Sequence, residues 1–143
     1  MKLLICTLIL FLNMNFAENI NLDKLKWNNR LLIINGNKDV FNPLLKINKV
    51  ELFNRDFIVF IISNDEVYHK NRKMPQSFLK SLIGKYGTIK DEMITLVGKD
   101  GEVKNKYHLD VDMIKIFNDV DKMPMRKYEI KKKWFSNKFP FWN

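Results

Sequence analysis

The chain has 143 residues, of which 46% are hydrophobic, 13% aromatic and 29% charged. These figures exclude a disordered tail and a multidomain enzyme; they describe one domain, able to bury roughly two thirds of its unfolded surface without a metal or disulfide. Its net charge of +9, from 25 Lys and Arg against 16 Asp and Glu, favours anionic partners and equally serves the solubility of an exported protein.

The first 17 residues set the expected compartment. Lys2 gives a positive start, Leu3 to Leu12 is an apolar run, and Asn13 to Ala17 turns polar and small, the pattern of a secretory signal peptide. A bilayer span needs about 20 apolar residues, so a transmembrane helix is not expected. Asn15 occupies a place where cleavage prefers a small residue, which leaves an uncleaved anchor open beside cleavage after Ala17. The expected location is secreted or periplasmic. Cys6 is the single cysteine, so cleavage removes all thiol chemistry, including cysteine metal sites and disulfides.

Further along, Leu31 to Asn35 reads as a buried strand ending at Gly36. Asn42 before Pro43 reads as a helix start, with Leu44, Ile47 and Val50 at helical spacing and a stop near Asn54. Phe57 to Ile62 is continuously apolar and is expected to be the central parallel strand, covered on both sides. Ser63 to Lys73 is polar and reads as a surface loop. Pro75 then opens a helix whose Phe78, Leu79, Leu82, Ile83 and Tyr86 form one face, with Gly87 as its left-handed stop. Glu92 to Val97 and Glu102 to Tyr107 read as strands joined by Gly98-Lys99-Asp100-Gly101, and lysines in the second suit a sheet edge. Asp110 is expected to cap a last helix with Met113, Ile116, Phe117 and Val120 inward, ended by Pro124. The expected architecture is α/β, β-α-β-α-β-β-α, with a central four-stranded mixed sheet and helices on both faces. This is the minimal thioredoxin-like order. Residues 18–130 form the domain and 131–143 a basic aromatic tail.

Several blocks carry a family resemblance: Trp27 with Arg30, Arg55-Asp56, Leu96-Val97-Gly98-Lys99-Asp100-Gly101, and Asp121-Lys122-Met123-Pro124-Met125-Arg126 with Glu129. The chain resembles the secreted thioredoxin-like domain of unknown function shared by bacterial proteins and the vertebrate DUDES matrix proteins (DRO, URB, DRS, equarin and SRPUL). The resemblance implies a thioredoxin-like fold, export, and no established activity; Arg30, Arg55, Asp56, Asp100, Asp121, Arg126 and Glu129 match without an assigned role. A thioredoxin-like enzyme would place its cysteine pair within Gly36 to Pro43, which here reads Gly-Asn-Lys-Asp-Val-Phe-Asn-Pro, and the docking proline is absent from Thr88 to Met93. Thiol-disulfide and peroxidase chemistry are therefore not expected.

The remaining candidates are weighed on their surroundings. His69 and His108 lack metal-ligand spacing and read as solvated surface residues. Asp110, Asp112, Asp119 and Asp121 lack calcium-loop spacing, and Ser77 and Ser81 lack a paired base. No catalytic residue, metal or cofactor is assigned. Asp121, Arg126 and Glu129 either pair with Arg30 or Arg55 to fasten the C-terminal segment, or face a ligand. Lys131, Lys132, Lys133, Trp134 and Trp142 interleave cations with aromatics, suited to an anionic lipid, a polysaccharide or an envelope protein; the alternative is that Trp134, Phe135 and Phe139 fold back as cover for the sheet. Nucleic acid is disfavoured by export. The expected function is a redox-inactive binding module. The alternatives are an enzyme of unknown reaction using the matching Arg and Asp residues in a cleft near Gly36 to Asn42, and a purely structural assembly protein.

Overall fold

The computed structural model describes residues 20–87 and 93–138; the expected signal peptide, Cys6 and Trp142 lie outside the described residues. In chain order the elements are α1 (Leu22–Leu25), β1 (Arg30–Asn35), α2 (Lys38–Ile47), α3 (Lys49–Asn54), β2 (Phe57–Ser63), β3 (Glu66–His69), β4 (Arg72–Lys73), α4 (Gln76–Tyr86), β5 (Met93–Val97), β6 (Val103–His108), α5 (Met113–Asp121) and α6 (Pro124–Lys138). The strands form one mixed sheet in the order β4-β3-β2-β1-β5-β6. β1 and β2 run parallel, Arg30 opposite Phe57, and β5 lies antiparallel on the other side of β1.

Strand alternation divides the core in two. Leu32 and Ile34 of β1 pack on one face with Phe41, Leu52, Met113, Ile116, Phe117 and Val120 from α2, α3 and α5. Leu31 and Ile33 pack on the other with Leu22, Phe78, Leu79 and Leu82 from α1 and α4. Helices therefore cover both faces of the sheet. The predicted α4 with its Gly87 stop at φ 86°, the Gly98–Gly101 turn, the lysine-bearing edge strand β6 and the inward face of α5 are all present.

Several expectations are corrected. The sheet has six strands, not four, because Ser63 to Lys73 is no loop: it folds as β3 and β4. Asn64 and Asp65 (φ 52° and 59°) and Lys70 and Asn71 (φ 49° and 64°) close two-residue turns, with Ser63 opposite Glu66 and His69 opposite Arg72. Positive φ at both turn residues is the geometry that matches strand twist, and Asn and Asp reach it without glycine. His69 consequently points inward, not to solvent: it is buried, its Nδ1 donates to the Val59 carbonyl at 2.9 Å, and its ring sits 5.4 Å from Phe60. His108 is exposed as expected.

The strand buried on both faces is β1, whereas Phe57, Ile58 and Val59 of β2 are half-buried. The first long helix begins earlier than Asn42. Asn37 caps it by accepting from the Asp39 amide at 2.9 Å, and Pro43 lies inside. Asn48 then interrupts it, its side chain donating to the Leu44 carbonyl at 2.9 Å. That start and break turn Ile47 and Val50 outward and bury Phe41 and Leu52 in their place. Asp112, not Asp110, caps α5, accepting from the Ile114 amide at 2.9 Å. Pro124 does not merely end a helix; it occupies the first position of α6, where its missing N–H is not needed.

Candidate functional site

Because β1 and β2 are parallel and β5 is antiparallel to β1, the chain enters two strands and leaves the third at the same end of the sheet. Arg30 opens β1, Arg55 and Asp56 precede β2, and Lys99 follows β5. α5 ends at Asp121 and α6 carries Arg126 and Glu129 to the same place. The topology thus gathers residues separated by up to 99 positions.

Arg30 is 1% exposed. Its Nη1 donates to the Arg55 carbonyl at 3.0 Å and to Glu129 Oε2 at 3.2 Å, and its Nη2 to Glu129 Oε1 at 3.1 Å. Its Nε is buried with no hydrogen-bond partner among the described residues. Arg55 makes a second fork, Nε to Asp121 Oδ1 at 3.0 Å and Nη2 to Oδ2 at 2.6 Å, and its guanidinium lies 4.7 Å from the Phe117 ring centre. Nη1 of Arg55 reaches the Glu51 carbonyl and carboxylate. Arg126 joins the two forks, donating to Asp121 Oδ1 at 3.2 Å, to Glu129 Oε2 at 3.4 Å and to the Asn54 carbonyl at 2.8 Å. Lys99 bridges Glu129 Oε1 at 2.9 Å and Asp56 Oδ2 at 2.7 Å.

Backbone geometry supports this network. Asp56 adopts φ 54° at the end of α3, and its carbonyl accepts from the Arg30 amide at 3.0 Å. Trp27, at φ 68°, donates its amide to the Lys99 carbonyl at 2.5 Å, fixing the turn from which Lys99 projects. The Trp27 ring remains exposed.

Burial opposes the charge on Glu129, but hydrogen bonds from Arg30 and Lys99 overcome it and hold the carboxyl below its ordinary value. For Asp121 burial is likewise outweighed, here by Arg55 and Arg126. Burial works against the Arg55 cation, and Asp121 and Glu51 more than compensate. Four cations and four carboxylates balance, and both central carboxylates are held charged. The chemistry of such an array is fastening: one bidentate pair, Arg30–Glu129, joins α6 to the start of β1, and the other, Arg55–Asp121, joins the end of α5 to the end of α3.

The predicted residues therefore divide. Arg30, Arg55, Asp56, Asp121, Arg126 and Glu129 come together. Asp100 does not join them; it accepts from the Glu102 amide at 3.1 Å and pairs with Lys104 within the turn. Gly36 to Asn42 follows the far end of β1, roughly 20 Å from Arg30, so no shared cleft joins the two regions. A cavity of about 400 Å³ lies elsewhere, lined by residues including Leu22, Met74, Phe78 and Lys85 together with Ser77 and Ser81, and none of the ion-pair network lines it.

Lys131, Lys132, Lys133 and Trp134 stand on α6, which contributes no buried residue. Every position from Lys131 to Lys138 is exposed. Trp134 and Phe135 are 54% and 55% exposed, so these two rings do not serve as cover for the sheet; Phe139 lies outside the described residues. Their rings meet edge to face at 5.0 Å, and Lys138 Nζ lies 4.5 Å from the Trp134 ring centre. Lys131, Phe135 and Lys138 share one helix face at i, i+4 and i+7. Among the described residues no helix is long and apolar enough to cross a membrane.

A family model described as a domain of unknown function, DUF4174, matches residues 21–129. The chain belongs to the DUF4174 family. No curated protein and no solved structure matches it. The DUF4174 span contains every member of the ion-pair network and ends on Glu129, the carboxylate that receives Arg30, Lys99 and Arg126. The lysines and aromatics of the tail lie beyond it. Sequence reasoning missed Lys99 and Glu51 as members. Lys99 stood inside a quoted block but read only as a turn residue, and Glu51 is signalled by its i, i+4 spacing to Arg55.

Proposed function

We propose that this DUF4174 protein is an exported, redox-inactive binding module that docks on an anionic envelope or matrix partner through α6. The observation that carries the reading is the exposure of every residue from Lys131 to Lys138, with Trp134 and Phe135 about half exposed beside the lysines. Lysines near an anionic surface contribute about 1 kcal/mol each, and aromatic rings suit its boundary. Anionic lipid, acidic polysaccharide and an acidic envelope protein share this chemistry.

The fold assignment extends the same reading. β2-β1-β5-β6, with α2, α3 and α5 on one face and α4 on the other, supports a thioredoxin-like domain in which β3 and β4 widen the sheet. The Gly36–Pro43 segment, where cysteines would react, has none. Export is inferred from residues 1–17.

The test is co-sedimentation of the chain from Glu18 onward, which holds every described core residue, with anionic vesicles, immobilised acidic polysaccharide and envelope extract across a salt series. The expected result is salt-sensitive binding, lost in the triple variant Lys131→Glu, Lys132→Glu, Lys133→Glu. Equal binding by that variant, or no binding to any of the three, overturns the reading.

A further inference from the structure

α2 and α3 carry an apolar stripe that faces neither core. Val40, Ile47, Val50 and Phe53 are 63, 82, 67 and 79% exposed, while Phe41 and Leu52 of the same helices are buried. Val40, Pro43 and Ile47 follow at i, i+3 and i+7, and after the interruption at Asn48 the row resumes with Val50 and Phe53. Single exposed apolar residues are ordinary; a row of four bulky ones on adjacent helices marks an interaction surface. Exposed Lys46 and Lys49 flank Ile47 on both sides. The row ends beside α6, for the carbonyl of Asn54, next after Phe53, accepts from Arg126 at 2.8 Å.

We propose that this stripe is a second docking contact and that its occupant is an anionic lipid bilayer. The inference rests on the reading of α6 as an anionic-surface contact and names the partner of both. A bilayer offers an apolar boundary for Val40, Ile47, Val50 and Phe53 and phosphates for Lys46 and Lys49 in one plane. An acidic polysaccharide offers only the charge. A second copy of the chain, paired by a two-fold axis, would set Lys46 and Lys49 against their own equivalents on a molecule already carrying +9. α6 supplies long-range electrostatic attraction, and the stripe supplies salt-resistant apolar contact.

The experiment uses vesicles of phosphatidylglycerol and phosphatidylcholine and the chain from Glu18 onward in three forms: native, a stripe variant (Ile47→Ser, Val50→Ser, Phe53→Ser) and the triple-glutamate α6 variant. All six positions are exposed, and unchanged thermal midpoints verify the fold. The stripe variant is expected to partition about tenfold or more weakly at every salt concentration with an unchanged salt slope. The α6 variant is expected to bind more weakly with a shallower salt slope, the remainder carried by Lys46 and Lys49. A stripe variant that partitions like the native chain, while the α6 variant fails to bind, overturns the stripe and leaves the α6 reading standing. Native chain that binds polysaccharide or extract but no vesicle overturns lipid as occupant. Native chain that binds nothing anionic overturns both readings. A dimer in sedimentation that dissociates in the stripe variant overturns the bilayer in favour of a second copy.

Discussion

Arg30 and Glu129, 99 residues apart, meet through two hydrogen bonds of 3.1 and 3.2 Å, one partner at the first position of the central strand and the other on the last helix. Since α6 buries no side chain, this pair and the contacts of Arg126 with Asp121 and the Asn54 carbonyl hold the helix where apolar packing does not. Removing one partner of a buried pair leaves the other desolvated and uncompensated. Arg30→Ala is expected to lower unfolding stability by about 3–5 kcal/mol, and Arg30→Lys, which breaks the fork but keeps the charge, by less. Urea unfolding with an unchanged m-value checks this. Arg30→Met combined with Glu129→Leu should recover a large part of the loss, since an apolar pair leaves no stranded charge.

The acid limb of stability follows from the same carboxylates. Glu129 and Asp121 titrate below their ordinary values of 4.5 and 3.8 when folded. A group depressed on folding contributes stability above its unfolded value and loses it as pH falls through the folded one. The thermal midpoint is therefore expected to stay level down to about pH 5 and to fall below about pH 4. In Glu129→Gln the midpoint starts lower and the acid fall is shallower. An equally steep fall in that variant would place the acid-sensitive groups elsewhere.

Tyr107 gives a signal at the opposite limb. Burial, then the hydrogen bond to Asp119 at 2.9 Å, pushes its phenol up to about 12. The folded state keeps a proton that the unfolded state gives up near pH 10, so the contribution is present below pH 10 and lost between about pH 10 and 12. Tyr68, bonded to Glu66, and Tyr86, partly buried, are also raised, so ultraviolet titration of phenolate absorbance should show a broadened rise whose last step, near pH 12, is removed by Tyr107→Phe.

The first added hairpin can be strengthened. Asp65 sits at φ 59° as the second residue of the turn after Asn64. Asp65→Gly creates the Asn-Gly pair this turn favours and removes the steric penalty of a left-handed side chain, for an expected gain of about 0.5–1 kcal/mol, or roughly 2–6 °C in thermal midpoint. Asp65→Val, with a branched side chain at the same φ, should lower it.

Much of this architecture was readable from apolar patterning alone. The β1, β2, β5 and β6 segments, the inward face of α5 and the Gly98–Gly101 turn follow from periodicity and from turn glycines that have few alternatives. The β3–β4 hairpins were hidden because Asn64-Asp65 and Lys70-Asn71 lack glycine and their strands are short and polar, so local composition reads as loop while pairing to β2 decides otherwise. Ile47 and Val50 misled for a related reason: helical spacing gives a stripe but not its direction, which depends on where Asn37 starts the helix and Asn48 breaks it. The pairing of Arg30 with Glu129 was one of two open readings. Choosing it required knowing that the start of β1 and the second turn of α6 occupy the same end of the sheet, a property of chain topology that no local pattern encodes.

α6 draws its attachment from Arg126 and Glu129 in its first two turns, and among the described residues none after Glu129 enters either core. Substitutions among the last exposed residues can therefore change charge and aromatic content without opening a cavity. The scaffold is insulated from the exposed part of this helix, so drift in a short surface segment can rewrite its charge and aromatic content while folding proceeds unaltered.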